Sequence, residues 1–261
     1  MTSSAPSNPR RVSIEVGFDR LEEARATMIE LFPEGFEEVD KAQGAELAAY
    51  TDAAGEERLW AFFGSGRSAD VETGWEDRWR AFHQPIRVGR LWVGPPWETP
   101  PADALIVVVD PGRAFGTGSH QTTQLCLQTL QELEPGPLLD VGCGSGVLAI
   151  AAALLGFAPV LGVDIEEPSI EATLENARAN GVTVDAQLVA GDETLPSSPV
   201  VIANISLESV EALPARTDAR TLITSGYFAS EQPQLPGFEH VKRTTLDGWA
   251  SDVYRRTSFG N

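Results

Sequence analysis

From residue 138 onward, short apolar segments alternate with segments whose apolar residues recur at helical spacing. Strands are predicted at 138–141, 160–163, 186–189, 200–203 and 221–225, helices at 147–155, 167–180 and 207–213, and an antiparallel strand pair at 239–246 and 249–256. This alternation is typical of an α/β domain with a doubly wound, Rossmann-like sheet. Ligands of such sheets bind at the carboxyl ends of the strands. The residues that follow the strands are therefore the first candidates for a site.

The first part of the chain has a different order of predicted elements. Strands are predicted at 11–17, near 35–42, at 46–51 and near 69–73, and helices at 20–32 and 56–63. The order βαββαβ favours a small ferredoxin-like α+β domain. Prolines between positions 95 and 101 indicate a connecting segment. We therefore expect a small α+β domain over residues 1–74, a linker over 75–100 and a larger α/β domain over 101–261.

The net charge of the chain limits the kind of partner that it can bind. The formal net charge is −19, which argues against a direct nucleic-acid partner because affinity for nucleic acid comes from neutralised phosphates. A basic or amine-bearing partner suits this charge, whereas an acidic composition that serves only solubility is the alternative.

Two features that the sequence lacks limit the class of protein further. No apolar run approaches the roughly 20 residues that span a bilayer, and the start has no apolar signal core. We expect a cytoplasmic protein without a membrane segment. Cys126 and Cys143 lack the spacing of a zinc site or a disulfide framework, so we expect no metal.

One predicted strand carries Asp140 near its end, and the loop after it has glycines at alternate positions, Gly142, Gly144 and Gly146. Glycines there permit unusual φ values and bring a ligand close to the backbone. Dinucleotide-binding folds use the spacing G-x-G-x-x-G, which would need a glycine where this chain has Val147. The spacing fits enzymes that bind S-adenosylmethionine instead. Asp140 would then help to hold the methionine ammonium, and backbone groups of Gly142 and Gly144 would lie beside the cofactor.

The next two predicted strands are each followed by a carboxylate. Asp164 ends the strand after the glycine loop, where a carboxylate can accept hydrogen bonds from both hydroxyls of a ribose. Nicotinamide enzymes place an acid at a similar distance, so Asp164 is informative only together with the loop, and helix capping is the alternative. Gly191 and Asp192 follow the next strand, in the region where such folds meet an adenine ring. A surface turn explains that pair equally well.

Asn204 ends a further buried strand. Its amide carbonyl can accept hydrogen bonds from an incoming amine and so orient the lone pair of that amine. The alternative is a cap for the following helix, a position that Asn often takes.

A glycine-studded loop over residues 110–121 enters a helix predicted at 122–133. Such a loop can close over a bound molecule, and Phe115 lies among its glycines. The start of the helix, with Thr123, supplies donors for a carboxylate such as the methionine tail. His120 could accept a proton from a substrate ammonium, and a purely structural role is its alternative.

Together these segments resemble the bacterial ribosomal protein L11 methyltransferases. The resemblance rests on DPGRAFGTGSHQTT, LLDVGCGSGVLAIAA, GVDIEEPSIEATLENARANGV, VVIANI and SGYFASE, together with the upstream RLWVGPPW, and it runs from about residue 75 to the end. It implies a class I methyltransferase fold and S-adenosylmethionine as the cofactor. It also implies that Thr123, Gly142, Asp164 and Asn204 bind the cofactor, with Phe115 close to the methyl donor.

The same resemblance implies a substrate. Members of this family methylate lysine side chains and the N-terminal α-amine of free ribosomal protein L11, a basic protein, up to the trimethyl state. They hold that protein with a small N-terminal domain, a role that residues 1–74 would take here. We expect Asn204 and His120 to act in catalysis, and we expect the enzyme to be a monomer.

Other functions remain open at this stage. A class I methyltransferase that acts on another protein or on a small-molecule amine would share the same motifs. A nicotinamide-dependent oxidoreductase is disfavoured by Val147, and an enzyme of the Asn-Pro-Pro-Tyr type is disfavoured because Ile205 and Ser206 follow Asn204. A non-catalytic module with this fold is disfavoured because each candidate binding position is intact.

Overall fold

The computed structural model describes residues 10–32, 36–41, 43–51, 53–70, 84–110 and 118–257. The chain divides into two compact units, residues 1–82 and residues 83–261. The predicted boundary after residue 74 and the predicted linker over 75–100 remain predictions, since residues 71–83 lie outside the described part. No helix among the described residues has the length and apolar character needed to cross a membrane.

The first unit has the predicted ferredoxin-like order. Its elements are β1 (Arg10–Gly17), α1 (Leu21–Leu31), β2 (Glu37–Lys41), β3 (Gly44–Thr51), α2 (Ala53–Phe63) and β4 (Arg67–Asp70). The antiparallel sheet has the strand order β2-β3-β1-β4. Alternation along β1 buries Val12 and Ile14 against Met28 of α1 and Leu59 of α2. The last strand begins at Arg67, earlier than the predicted start at residue 69.

The second unit contains ten strands and four helices among its described residues. They are β5 (Ile86–Val88), β6 (Leu91–Gly94), β7 (Leu105–Val108), α3 (Gln121–Leu130), β8 (Leu138–Val141), α4 (Val147–Leu154), β9 (Val160–Asp164), α5 (Glu167–Ala179), β10 (Asp185–Leu188), β11 (Val200–Asn204), α6 (Leu207–Arg216), β12 (Thr221–Phe228), β13 (Phe238–Leu246) and β14 (Trp249–Arg256). The main sheet has the order β10-β9-β8-β11-β12-β14-β13. Its first five strands are parallel, and β14 is antiparallel to both of its neighbours. The predicted doubly wound α/β domain is confirmed, including the antiparallel pair at its edge.

The second unit also contains a separate three-stranded sheet. The apolar run that includes β7 pairs in parallel with β6, and β6 pairs with β5 in a hairpin, so β7 is not a strand of the main sheet. The hairpin also lies within the segment predicted as a linker. A short apolar run specifies a buried strand but not the strand with which it pairs.

Packing on both faces of the sheet brings the candidate residues to one edge. Leu138 and Ile202 are buried in one apolar cluster, whereas Leu139 and Val201 are buried in a second cluster. The register places Asp140 opposite Gly162 on β9 and opposite Ile202 on β11. The carboxyl ends of β8, β9 and β11 therefore meet at the same edge.

Candidate active site

The glycine loop turns tightly over the end of β9. The backbone N–H groups of Gly142 and Cys143 donate to the carbonyl of Val163 at 2.8 and 3.1 Å. Gly142 has a φ of 74°, and an added Cβ there would overlap the Cγ2 atom of Ile205. Only glycine avoids both the backbone strain and this overlap. The glycine therefore lets the loop backbone pack closely against Ile205, which follows β11.

Asp164 ties the glycine loop to the strand that precedes α5. One carboxylate oxygen accepts the N–H of Gly144 at 3.0 Å, and the other accepts the N–H of Glu166 at 3.1 Å. A carboxylate accepts about four hydrogen bonds, so this group keeps capacity for two more. The residue at the N-cap position of α5 is Glu166, whose side chain makes no capping bond. Asp164 serves the turn before the helix and is not its N-cap residue.

Asp140 lies deeper than its neighbours, with an exposed fraction of 1%. Its Oδ2 atom accepts the N–H of Ala149, in the first turn of α4, at 3.1 Å. Among the described residues nothing donates to the Oδ1 atom. Burial, together with the nearby charge of Asp164, raises the pKa of Asp140 to about 7, although the hydrogen bond from Ala149 acts in the opposite direction. The site thus contains a buried carboxyl that ionises only at a cost.

Asn204 and Thr123 meet at the end of β11. The Nδ2 atom of Asn204 donates to the Oγ1 atom of Thr123 at 3.2 Å. The alternative of a helix cap at Asn204 is wrong, because Ser206 takes that position and its Oγ atom accepts the N–H of Ser209 at 3.4 Å. The amide of Asn204 is therefore held by a side chain from another element.

His120 occupies the N-cap position of α3. Its Nδ1 atom lies 3.4 Å from the N–H of Thr122 and 2.8 Å from the Oγ1 atom of the same residue. The ring also packs edge-to-face on Trp249, with 4.7 Å between ring centroids. The structure thus gives His120 a capping role at the start of the helix that carries Thr123.

Gly191 and Asp192 lie in an exposed turn after β10. Phe115 lies outside the described residues.

Sequence reasoning missed two groups of residues at this edge. Ile165 and Leu188 are large apolar side chains with exposed fractions of 67% and 56%, and each adjoins Asp164 along the chain or across the β9–β10 pair. Exposed apolar residues mark binding surfaces when they cluster, but sequence alone does not reveal exposure. Thr173 and Asn176 of α5 bind main-chain carbonyls of the glycine loop. Polar residues on a helix are usually assigned to its solvent face, so no sequence signal marked them.

Comparisons with known proteins agree on one family. The family model described as ribosomal protein L11 methyltransferase (PrmA) matches residues 13–256. A ribosomal protein L11 methyltransferase from Legionella pneumophila is 39% identical over 200 residues, which cover 70% of this chain and 69% of the relative. One from Pseudomonas putida is 47% identical over 198 residues, which cover 70% of this chain and 68% of the relative. The crystal structure of a ribosomal protein L11 methylase from Lactobacillus delbrueckii subsp. bulgaricus is similar with a TM-score of 0.61 and 30% identity, covering 67% of this chain and 99% of that one.

Proposed function

The chain belongs to the ribosomal protein L11 methyltransferase family, and from this premise we propose that it methylates lysine side chains and the N-terminal α-amine of ribosomal protein L11, up to the trimethyl state. It is a methyltransferase with a class I α/β fold. The observation that carries the proposal is the contact between Asn204 and Thr123 at the end of β11, because an oriented amide is what an amine acceptor needs.

The residues at the sheet edge fit S-adenosylmethionine as the cofactor. The remaining acceptor capacity of Asp164 suits the two hydroxyls of a ribose. The exposed side chain of Ile165 offers an apolar surface for an adenine ring. The buried Oδ1 atom of Asp140 has no donor among the described residues and would take the methionine ammonium, directly or through water.

The other cofactor contacts of the proposal come from backbone and helix geometry. Gly142 and Gly144 bring the main chain beside the cofactor. Thr123 lies in the first turn of α3, where helix N–H groups and the positive end of the helix dipole favour a carboxylate. Phe115 would lie close to the methyl donor.

When bound, S-adenosylmethionine supplies a sulfonium methyl group that a neutral amine attacks. Asn204 would orient that amine. The Nδ2 atom of Asn204 donates to Thr123, so the Oδ1 atom of Asn204 remains to accept an N–H of the amine. Positioning of this kind accounts for a large part of the rate in reactions between two bound partners.

Each transfer also requires that the acceptor lose a proton, since the reference pKa of lysine is about 10.4. We propose His120 as the group that takes this proton. In the capping tautomer Nδ1 accepts the N–H of Thr122. To take the proton at Nε2, the ring would exchange this tautomer for the one in which Nδ1–H donates to the Oγ1 atom of Thr122, 2.8 Å away. Desolvation of the lysine in the enzyme–substrate complex would also lower the pKa of the lysine and so favour the neutral amine.

We propose that residues 1–74 recognise the protein substrate. The acidic chain, with a net charge of −19, would attract a basic ribosomal protein, and binding should weaken as ionic strength rises. The proposal makes the enzyme a cytoplasmic monomer that acts on free L11 without binding nucleic acid directly.

Mass spectrometry tests the substrate. Purified L11 is incubated with this protein and S-adenosylmethionine, and the mass of L11 should rise in multiples of one methyl group. Protein with Asn204→Ala serves as the control and should give little gain. If L11 gains no mass although the protein binds S-adenosylhomocysteine, the acceptor is another protein or a small-molecule amine, and the substrate proposal is wrong.

A further inference from the structure

Three polar side chains lie on one face of α5 and its end. Thr173, Asn176 and Asn180 are separated by three and four positions, which places them on the same side of a helix. Thr173 and Asn176 are buried, and Asn180 is half-buried. Burial of a hydroxyl or an amide is unfavourable unless the group is hydrogen-bonded. The hydrogen-bond partners of these three side chains therefore show which segments this face of α5 holds in place.

The first two side chains hold the glycine loop. The Oγ1 atom of Thr173 donates to the carbonyl of Gly144 at 3.0 Å, and the Nδ2 atom of Asn176 donates to the carbonyl of Ser145 at 2.9 Å. Both acceptors are main-chain atoms. These bonds fix the path of the loop backbone and are indifferent to the side chains that the loop carries.

The last two side chains hold the end of β7. The amide of Asn180 accepts from the N–H of Val108 and donates to the carbonyl of the same residue, both at 2.7 Å. The Oδ1 atom of Asn176 accepts from the N–H of Asp110 at 3.5 Å. An amide that pairs with both main-chain groups of one residue takes the place of a neighbouring strand. The strand end thus has a fixed position relative to α5.

Asn176 therefore joins the two segments through opposite ends of one amide. The segment after Asp110 leads toward α3, whose first turn carries Thr123. The glycine loop on the other side is bound by Asp164, which precedes α5. A single helix thus sets the separation between the glycine loop and the end of β7.

We propose that Asn176 and Asn180 are positioning residues for cofactor binding, which hold the glycine loop and the end of β7 at the separation that the cofactor requires. This inference rests on the proposed function, because it assumes that these two segments bind one ligand. Neither side chain needs to touch that ligand. Loss of either amide should therefore weaken cofactor binding while the groups that orient the substrate amine stay in place.

The test is a double-mutant cycle on the full-length protein. Isothermal titration gives the Kd of S-adenosylhomocysteine for the wild type, Asn176→Ala, Asn180→Ala and the double variant. Each single variant should raise the Kd about tenfold, as expected for one lost hydrogen-bond connection. The double variant should stay near tenfold, because both changes break the same bridge. The kcat at saturating cofactor should stay within about twofold of the wild type.

Two controls separate positioning from stability. Val184→Ala removes apolar volume from the neighbouring core and should lower the melting temperature without changing the Kd. Glu171→Ala changes an exposed residue of α5 and should change neither quantity. Asn180→Asp is the second variant if an alanine variant does not fold. It keeps an acceptor for the N–H of Val108 but places an oxygen against the carbonyl of Val108, so the same rise in Kd is expected.

The outcomes distinguish the two proposals. Wild-type protein that does not bind S-adenosylhomocysteine would overturn the proposed function. Wild-type binding together with unchanged binding by the variants would overturn only the positioning role. Fold-changes that multiply to about a hundred in the double variant, or an equal loss in Val184→Ala, would also overturn it.

Discussion

The side chains of Asn204 and Thr123 meet at 3.2 Å although the two residues are 81 positions apart in the chain. Thr123 is buried in the first turn of α3, and Asn204 is the last residue of β11. Because an amide has distinct donor and acceptor ends, a single hydrogen bond from Nδ2 determines which way Oδ1 points. In the observed arrangement the hydroxyl of Thr123 accepts from Nδ2, which leaves Oδ1 as the acceptor for the substrate amine.

Replacement of Thr123 by valine should test this orientation. Valine has nearly the same shape but no acceptor, so the amide loses the bond that fixes it. We expect kcat to fall about tenfold, the effect of roughly 1.4 kcal/mol, while the Kd of S-adenosylhomocysteine changes much less. Thr123→Ser keeps the hydroxyl and should retain most of the activity. Equal losses in both variants would show that packing, and not the hydroxyl, matters at this position.

Replacement of Asp164 by alanine should weaken cofactor binding by at least about tenfold. The change removes the proposed ribose acceptor and also releases the N–H of Gly144, and hydrogen bonds to a charged group contribute about 1.5–3 kcal/mol. Isothermal titration with S-adenosylhomocysteine measures the effect. Asp185→Asn, an exposed acid on β10 of the same sheet, is the matched control and should bind normally. Unchanged affinity in Asp164→Ala would place the ribose elsewhere.

The main sheet was predictable from the sequence because its strands are apolar on both faces. Val201 and Ile202, for example, lie on opposite faces of the sheet and are both buried. The resulting unbroken apolar run is typical of a parallel strand that is covered on both faces. Acids and amides at the ends of such strands gather at one edge for topological reasons. Asp164 and Asn204 could therefore be named without a structure.

Contacts to main-chain atoms could not be predicted. Asn180 pairs with the backbone of Val108, 72 positions away, and any residue at position 108 would offer the same two groups. The sequence pattern at Val108 therefore contains no trace of its partner. The hydrogen bond from the N–H of Ala149 to Asp140 also comes from a main-chain atom. It could not be predicted for the same reason.

A buried network among β12, β13 and β14 should control stability. The carboxylate of Asp252 is buried and accepts from Arg243 at 2.7 and 2.9 Å, from His240 at 2.7 Å and from Tyr227 at 2.8 Å. Removal of one partner of a buried ion pair costs about 3–5 kcal/mol. We expect Arg243→Met to lose stability of this order in urea unfolding. The control Arg255→Met changes an exposed residue of β14 and should be nearly neutral.

The pH dependence of that network follows from the same contacts. Burial opposes ionisation of Asp252, but the hydrogen bonds from Arg243, His240 and Tyr227 outweigh it and lower its pKa. A lowered pKa stabilises the folded state above the ordinary carboxyl pKa, and this contribution is lost as the pH falls. The difference in stability between the wild type and Arg243→Met should therefore shrink in acid. A difference that stays constant down to acid pH would argue against a charged Asp252.

The buried carboxyl of Asp140 should have the opposite pH dependence. Burial raises its pKa from 3.8 to about 7, so the folded state holds a proton that the unfolded chain releases. The stabilising contribution of that proton is fully present below the unfolded pKa and is lost as the pH rises through the folded pKa. We expect Asp140→Asn, which cannot ionise, to gain stability relative to the wild type between about pH 4 and pH 7, by roughly 2–4 kcal/mol.

Urea unfolding of both proteins across that pH range measures the effect without the cofactor. Other titrating groups are shared by the two proteins and cancel in the difference, so the slope belongs to Asp140 and to the groups that sense its charge. The same variant should bind S-adenosylhomocysteine more weakly, because an amide nitrogen or a neutral oxygen cannot replace a carboxylate beside the methionine ammonium. If Asp140→Asn is more stable than the wild type but binds S-adenosylhomocysteine more weakly, the buried carboxylate of Asp140 destabilises the fold and stabilises the complex with the ligand. A stability difference that does not vary between pH 4 and pH 7 would show that Asp140 is already ionised in the folded protein.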